Sequence, residues 1–347
     1  MTMRPMSRKV REAVEKYRSG RRKEAILQLV YLLSDRDERT RIEAIDFLGE
    51  FGDADVVDEL ARLTEREGVE VRVRVARALS KIGSPQALTH LEKFLDDEDG
   101  DVRLAAIKGI IHVSKGRSFD VLAKALGDDD ERVRTAAMEA LIKVASSFSD
   151  KLIELLKSDD WRVRAGAARV LGEVGEVRAK DELLRLLDDW DWRVRGEAAE
   201  ALGKIADEEV VPYLGRMLRE REAELRVSAV RALGLTRSPK AREFLEEALR
   251  DEDARVRFWA ASALGSMGDE DAEDALVKAL SDVDLQVKLA ALKALSRVGG
   301  VKAARAVDPL RLHPEEKVRR EAERALKAIA LRHNVSVDEM LRRAEEG

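Results

Sequence analysis

Asp159-Asp160-Trp161-Arg162-Val163-Arg164-Ala165-Gly166-Ala167-Ala168-Arg169-Val170-Leu171-Gly172-Glu173-Val174-Gly175 is the stretch on which the fold turns. With Val163 as position 0, apolar residues fall at 0, 4, 7, 8 and 11, which is helical spacing. The acid at −3 has the chemistry of an N-cap, and the Gly at 12 that of a left-handed C-cap. The same phrase recurs along the chain. Its basic residue stands at Arg41, Arg72, Arg103, Arg134, Arg164, Arg195, Arg226, Arg257, Lys288 and Arg319, with eight steps of 31 residues and one of 30. A strict period of this length marks stacked units that share a core with their neighbours.

The remaining columns agree. An acid precedes position 0 by three residues in nine of the ten copies, and Gly52, Gly83, Gly175, Gly268 and Gly299 occupy position 12. A second amphipathic segment lies between successive phrases, as in Ala272, Ala275, Leu276, Ala279 and Leu280. Ser84-Pro85 and Ser238-Pro239 open two of these segments as N-cap and N1. The unit is a helix hairpin, and no run with period two is long enough to argue a strand. Val10-Arg11 keeps the register in a lone N-terminal helix over 7–19, and Ser336-Val337-Asp338-Glu339 reads as a capping box that opens a last helix. The expected organisation is all-α: a right-handed α-solenoid of ten hairpins over 24–334, a basic capping segment over 1–23 and a capping helix over 335–347. Ten steps of roughly 10 Å give a length on the order of 100 Å.

Composition fits thin helical layers. Hydrophobic residues are 45% of the 347 and aromatics 4%, so the core is Ala, Leu, Val and Ile. Charged residues reach 38% with a net charge of −5, so the two signs are interspersed. One Asn, three Gln and no Cys lean toward a thermophile. The absence of Cys excludes disulfides and thiolate metal sites and fits a cytoplasmic protein. The N-terminus has no apolar signal region and no stretch approaches 18 apolar residues, so neither a leader nor a membrane span is expected.

Asp159-Asp160-Trp161-Arg162-Val163-Arg164, Val170-Leu171-Gly172-Glu173-Val174-Gly175 and Arg255-Val256-Arg257 with Ala260-Ala261-Ser262-Ala263-Leu264-Gly265 together resemble the HEAT-like repeat family, in its short phycobilisome-lyase-like form. The resemblance covers 24–334. It implies that the Val-Arg helices line a concave face. It also implies that a turn Asp five residues before each Val meets the ladder Arg of a neighbouring repeat. Asp35, Asp97, Asp128, Asp189, Asp251 and Asp282 match that position; Glu220 keeps the acid, while Arg66, Ser158 and His313 depart from it and are expected to interrupt the ladder.

Catalytic signals are weak. His90, His112, His313 and His333 stand apart, without the His-Glu pairs of a di-iron hydroxylase, and no metal or other cofactor is expected. Gly203-Lys204 lacks the upstream Gly of a phosphate loop. Trp259 alone would match part of a HEAT-like DNA glycosylase, and no Asp accompanies it on the neighbouring positions. The reading is no enzyme.

The surface columns carry more. Positions −1, 2, 3, 6 and 10 of the Val-Arg helices hold 18 Arg or Lys against 11 Asp or Glu, while the whole chain is acidic. Arg74, Arg77 and Lys81 share one helix face, followed by Lys108 and Lys143, with Glu139 as an exception. These fit an acidic protein surface; nucleic acid is the alternative partner for the same residues. Trp161 and Trp192, at −2 of adjacent repeats, are expected roughly 10 Å apart on one ridge, either as contact anchors or as covers for Arg stems. Phe258-Trp259 is an aromatic pair at positions 2 and 3, either a binding patch or lateral packing. Ile111 and Ile142 stand at position 9, often Gly or another small residue elsewhere, just before the 30-residue step. The expected function is a scaffold that holds a partner protein or peptide, and the oligomeric state is left open.

Overall fold

The computed structural model describes residues 6–51, 54–63, 67–114, 118–205 and 208–346. Its odd-numbered helices carry the Val-Arg phrase: α1 (Arg8–Arg18), α3 (Glu38–Phe51), α5 (Val69–Ile82), α7 (Gly100–Ser114), α9 (Glu131–Val144), α11 (Trp161–Val174), α13 (Trp192–Ile205), α15 (Ala223–Thr236), α17 (Ala254–Met267), α19 (Leu285–Val298) and α21 (Glu316–Arg332). The even-numbered helices are the intervening segments: α2 (Arg22–Leu32), α4 (Val57–Arg62), α6 (Pro85–Lys93), α8 (Phe119–Ala125), α10 (Ser149–Leu155), α12 (Lys180–Leu186), α14 (Val211–Arg216), α16 (Arg242–Ala248), α18 (Glu273–Ala279), α20 (Val301–Val307) and α22 (Val337–Glu346). No strand occurs among the described residues, and the fold is an all-helical repeat solenoid.

The chain divides into two compact units, Met1–Val170 and Leu171–Gly347, with the division inside α11. In the first unit α3, α5, α7 and α9 lie side by side as one row, and the even helices pack behind it. In the second, α13, α15, α17, α19 and α21 form the corresponding row. Positions 0, 4 and 8 build each core. Val71, Val75 and Leu79 of α5 are fully buried, as are Leu225, Ala229 and Leu233 of α15. Each Val or Leu removed from water contributes about 1.5–3 kcal/mol, so a thin layer of small side chains suffices when it is repeated.

Small residues set how closely the row packs. At position 9, a Cβ added to Gly49, Gly172, Gly203 or Gly265 would come within 2.6–2.7 Å of the Cα of Ala78, Ala201, Ala232 or Ala294. Only hydrogen fits there. Ser80, Ile111 and Ile142 hold this position in α5, α7 and α9. At the α5–α7 contact the small residue moves across: it is Gly109 at position 7, whose added Cβ would press Ser80 Cβ at 3.2 Å and both Leu91 methyls at 3.0 Å. At the α7–α9 contact neither position is glycine, and packing between these helices is sparser than in the rest of the row.

The turns follow the sequence closely. Asp130, Asp160, Asp253 and Asp284 accept hydrogen bonds from the N–H two residues on, each at 2.8 Å. Gly83, Gly175 and Gly268 adopt the left-handed conformation expected of them. Gly299 does not: it is extended, and the chain turns directly into α20. The reason is local. The Glu273 carboxylate accepts from Gly300 N–H (2.6 Å) and Ala303 N–H (2.8 Å), while Arg332 donates to the carbonyl of Gly299 (2.5 Å). Gly52 lies outside the described residues. The hydroxyl of Ser336 caps Glu339 N–H as expected, whereas the Glu339 carboxylate pairs with Arg342 and Arg343.

The Arg column forms the ladder. Each ladder guanidinium first closes its own turn: Arg103 donates to the carbonyl oxygens of Asp97 and Glu98, Arg257 to those of Asp251 and Glu252. It then reaches the next repeat. Arg103, Arg226 and Arg257 place Nε and Nη2 on both carboxylate oxygens of Asp128, Asp251 and Asp282 at 2.7–2.9 Å, and Arg72 reaches Asp97 at 2.9 Å. These bidentate, half-buried pairs fix register. Where the acid is Glu the fit is poorer. Arg41 takes Glu67 through Nη2 alone, and Arg195 approaches Glu220 only at 3.7 Å; a buried Nε without a hydrogen bond occurs at both, and also at Arg72 beside Asp97. At Ser158 and His313 the ladder breaks: among the described residues neither Arg134 nor Lys288 has an ion pair. Arg66 lies outside the described residues.

Candidate functional site

A concavity of the first unit lies over the row formed by α5, α7 and α9. It is an open depression of about 840 Å³. Arg74, Arg77 and Lys81 line it from α5, Lys108 from α7 and Arg132 from α9, against the acids Glu70 and Asp101. The structure thus brings together four of the five basic residues singled out in the sequence. Lys143 is exposed on the last turn of α9 and does not line the depression. A smaller hollow of about 400 Å³ continues between α7 and α9, sharing Leu104, Lys108 and Arg132 and adding Glu139.

The five cations are not equivalent. Arg74 is paired with Asp46 at 3.0 Å and with Glu70 at 3.3 Å. Lys81 approaches Glu50 at 3.7 Å, and Arg132 holds Asp101 and Asp130 at 2.7 Å each. The Arg132 guanidinium pulls the Asp130 carboxyl down to about 2. Partial burial raises Asp46 despite Arg74 beside it. Arg77 and Lys108 are exposed and have no ion pair among the described residues. Cross-repeat pairing also runs through the second unit, where Lys204 meets Glu173, Arg231 meets Glu200 and Arg255 meets Glu224. Most of the positive column is therefore neutralised along the row, which the sequence count did not reveal.

The second unit carries the aromatic pair. Phe258 is half-buried and Trp259 is 38% exposed, with ring centroids 5.4 Å apart and planes at 81°. Arg231 of α15 lies 5.0 Å from the Trp259 ring centroid. The rings contact each other and Trp259 contacts a neighbouring helix, while part of Trp259 faces solvent. Trp161 stacks on Arg162 at 5.2 Å and Trp192 on Arg193 at 5.9 Å, each covering an Arg of its own helix. Trp161 and Trp192 belong to different units.

The family profile for HEAT repeats matches residues 26–111, 90–147, 149–226, 216–282 and 263–327. The chain belongs to the HEAT-repeat family. No curated protein sequence matches it. Among solved structures it is similar to karyopherin Kap121p bound to the extreme C-terminus of the protein phosphatase Cdc14p. That match has 14% identity over 89% of this chain and 42% of that one, with a TM-score of 0.67. Kap121p bound to Nup53p gives 13% identity, 89% and 42% coverage and a TM-score of 0.68. Kap95p, in a complex with RanGDP, gives 14% identity, 91% and 52% coverage and a TM-score of 0.62. The chain spans about half or less of the length of these karyopherins, and at such identity the likeness is one of fold.

Two features of these HEAT repeats escaped the sequence reading. Leu27 and Tyr31, four residues apart on α2, are 71% and 80% exposed, off the buried Ala25–Leu29–Leu32 stripe. Their signal was apolar character on the polar side of an amphipathic helix. Arg231, which packs against the Trp259 ring, was visible only as one member of a charge column. Among the described residues no three His, Asp or Glu gather into a metal-holding group, and no helix is long and apolar enough to cross a membrane.

Proposed function

We propose that this HEAT-repeat protein is a non-enzymatic scaffold, cytoplasmic in location, that holds a partner protein against the row of odd-numbered helices, read as the concave wall. The observation that carries this is the gathering of Arg74, Arg77, Lys81 and Lys108 around one depression, with the charge of Arg77 and Lys108 left unpaired. Unpaired surface charge beside an apolar floor gives orientation and encounter rate to a partner of opposite sign. The Phe258–Trp259 pair supplies a second anchor of the kind that dominates binding energy, a large ring partly desolvated by its neighbours. The karyopherins of like fold are themselves seen bound to proteins. A nucleic-acid reading is less favoured, because a phosphate backbone needs many uncompensated cations and most here already face carboxylates.

The test is affinity capture from native lysate with three baits: wild type, Arg77→Glu/Lys108→Glu and Phe258→Ala/Trp259→Ala. At least one partner protein is expected to be lost with one of the variants. Identical recovery on all three baits overturns the reading. Oligonucleotide binding at low salt, with a steep decline as salt rises, would replace it with the nucleic-acid one.

A further inference from the structure

We propose that the depression over α5, α7 and α9 seats an acidic amphipathic helix presented by a partner protein. The inference rests on the scaffold reading and names its ligand class. The first support is dimension. The α5 wall runs from Val69 to Lys81, which is roughly 18 Å at 1.5 Å per residue, or three turns of a docked helix. The second is the floor. Val73, Leu104, Ala105 and Gly109 offer apolar surface between the basic side chains. The third is charge: five cations line the site against two acids, and the two cations without an ion pair, Arg77 and Lys108, stand on different helices. An apolar floor flanked by cations is the complement of a helix with apolar residues at i, i+3 or i+4, and i+7 and carboxylates beside them.

The row offers no sheet edge, because the backbone groups of α5, α7 and α9 are consumed within their helices. An incoming segment must therefore be read through side chains. The extension of the depression toward α9 coincides with a departure from the repeat. Gly109 lets α7 approach Ser80 of α5 and Leu91 of α6, and Ile111 stands where α11, α13, α15 and α17 carry the glycine that lets the next helix close in. The α7–α9 contact, at which Ile111 stands, is sparser than its neighbours in the row, and a hollow lined by Leu104, Thr135 and Ala136 lies between the two helices. The irregularity accompanies the smaller hollow that extends the depression toward α9, while the main wall and floor stand on α5 and α7.

The probe is a fluorescein-labelled peptide with Leu at i, i+3 and i+7 and Glu on the flanks. Its controls are the same peptide with Lys for Glu, polyglutamate of equal length and oligothymidylate. Full-length protein is titrated by fluorescence anisotropy, with circular dichroism to verify that each variant is folded. The acidic amphipathic peptide is expected to bind tightest. Arg77→Glu/Lys108→Glu should weaken it about tenfold or more, the scale of two interfacial charge pairs, and Leu104→Glu should act in the same direction. Lys293→Glu, an exposed cation of the row in the second unit, should leave it unchanged.

Equal binding by wild type and the double variant overturns the proposal, as does polyglutamate binding as well as the amphipathic peptide. Failure of the acidic peptide to bind at all also overturns it. In that case capture of a partner that only Phe258→Ala/Trp259→Ala releases leaves the scaffold reading standing without this ligand, whereas capture of nothing by wild type removes both.

Discussion

The contact between α7 and α9 in the first unit and the contacts among α13, α15, α17 and α19 in the second are built from one phrase, yet they pack differently. In the second unit a glycine at position 9 meets an alanine at position 7 at every step, and the bidentate rungs Arg226–Asp251 and Arg257–Asp282 sit beside these contacts. In the first, Ile111 and Ala140 hold the corresponding positions 9 and 7, and the next rung, at Arg134, lacks its acid. Close packing and the ladder are thus separable devices: one sets the distance between helices, the other fixes their register. Where the first is relaxed, between α7 and α9, a small hollow lined by Leu104, Thr135 and Ala136 remains.

The largest expected effect comes from moving the irregular feature into the regular unit. Gly203→Ile places a branched side chain where even a Cβ would lie 2.7 Å from the Cα and carbonyl oxygen of Ala232. Backbone cannot give way as a flexible side chain can, so destabilisation of about 3 kcal/mol or more is expected, at the upper end of overpacking. A fall in the urea midpoint of that size checks it; tolerance within about 0.5 kcal/mol would show that α13 and α15 separate freely. That result would break the link drawn between glycine and the closed row.

The ladder is the next target. Asp251→Ala removes both oxygens that hold Arg226, and with them the turn bond to Asp253 N–H. Arg226 is among the few buried charged residues. Arg226 would keep its turn carbonyls and the exposed Glu252 at 3.4 Å, so losing the bidentate partner should cost about 2 kcal/mol. Thermal unfolding followed by circular dichroism reads this directly. Asp251→Asn, which keeps the turn acceptor, should recover part of the loss.

A gain is expected at the broken rung. Ser158 already occupies the geometry of the missing acid: its hydroxyl accepts from Asp160 N–H at 3.3 Å, as Asp128 accepts from Asp130 N–H at 2.8 Å. Arg134 already donates to the carbonyls of Asp128 and Asp129, so its turn is closed. Ser158→Asp should therefore complete the rung and stabilise the protein by about 1 kcal/mol, the worth of a well-placed charge-assisted bond. An unchanged melting temperature would mean that the single-residue deletion in this repeat has moved Arg134 out of reach.

These cases show why the fold was legible and the site only partly so. The phrase recurs ten times and carries its caps and ladder in most copies, so each residue type is tested by its copies; Gly83, Gly268 and Asp253 do what their columns required. Gly299 failed because Glu273 and Arg332, distant in sequence, capture the backbone around it. The basic residues of the depression were found because three of them share one helix face at spacings of three and four. Their unequal state was hidden, because Asp46 pairs with Arg74 from another repeat, and neither column alone announces the match. Arg132 and the apolar floor depend on how three helices meet, which periodicity does not encode.

Acid should expose the smallest difference between the two regions. Asp130 in the first unit and Asp253 in the second cap their helices and hold Arg132 and Arg255, which lower each carboxyl from 3.8 to about 2. A depressed folded pKa stabilises the protein above the unfolded value and loses that contribution as pH falls through the folded one. Stability should then decline between about pH 4 and pH 2 through both caps alike. In the ladder the asymmetry appears. Asp282 is also lowered by its bond to Arg257, whereas the rung at Arg134 has no carboxylate to protonate. Ser158→Asp should add such a group, steepening the decline of stability over the same interval relative to wild type. Urea midpoints of the two proteins at pH 7, 4 and 2.5 measure it: the advantage of Ser158→Asp should be present at pH 7 and diminished at pH 2.5. An advantage independent of pH would assign the gain to the turn rather than to the completed rung.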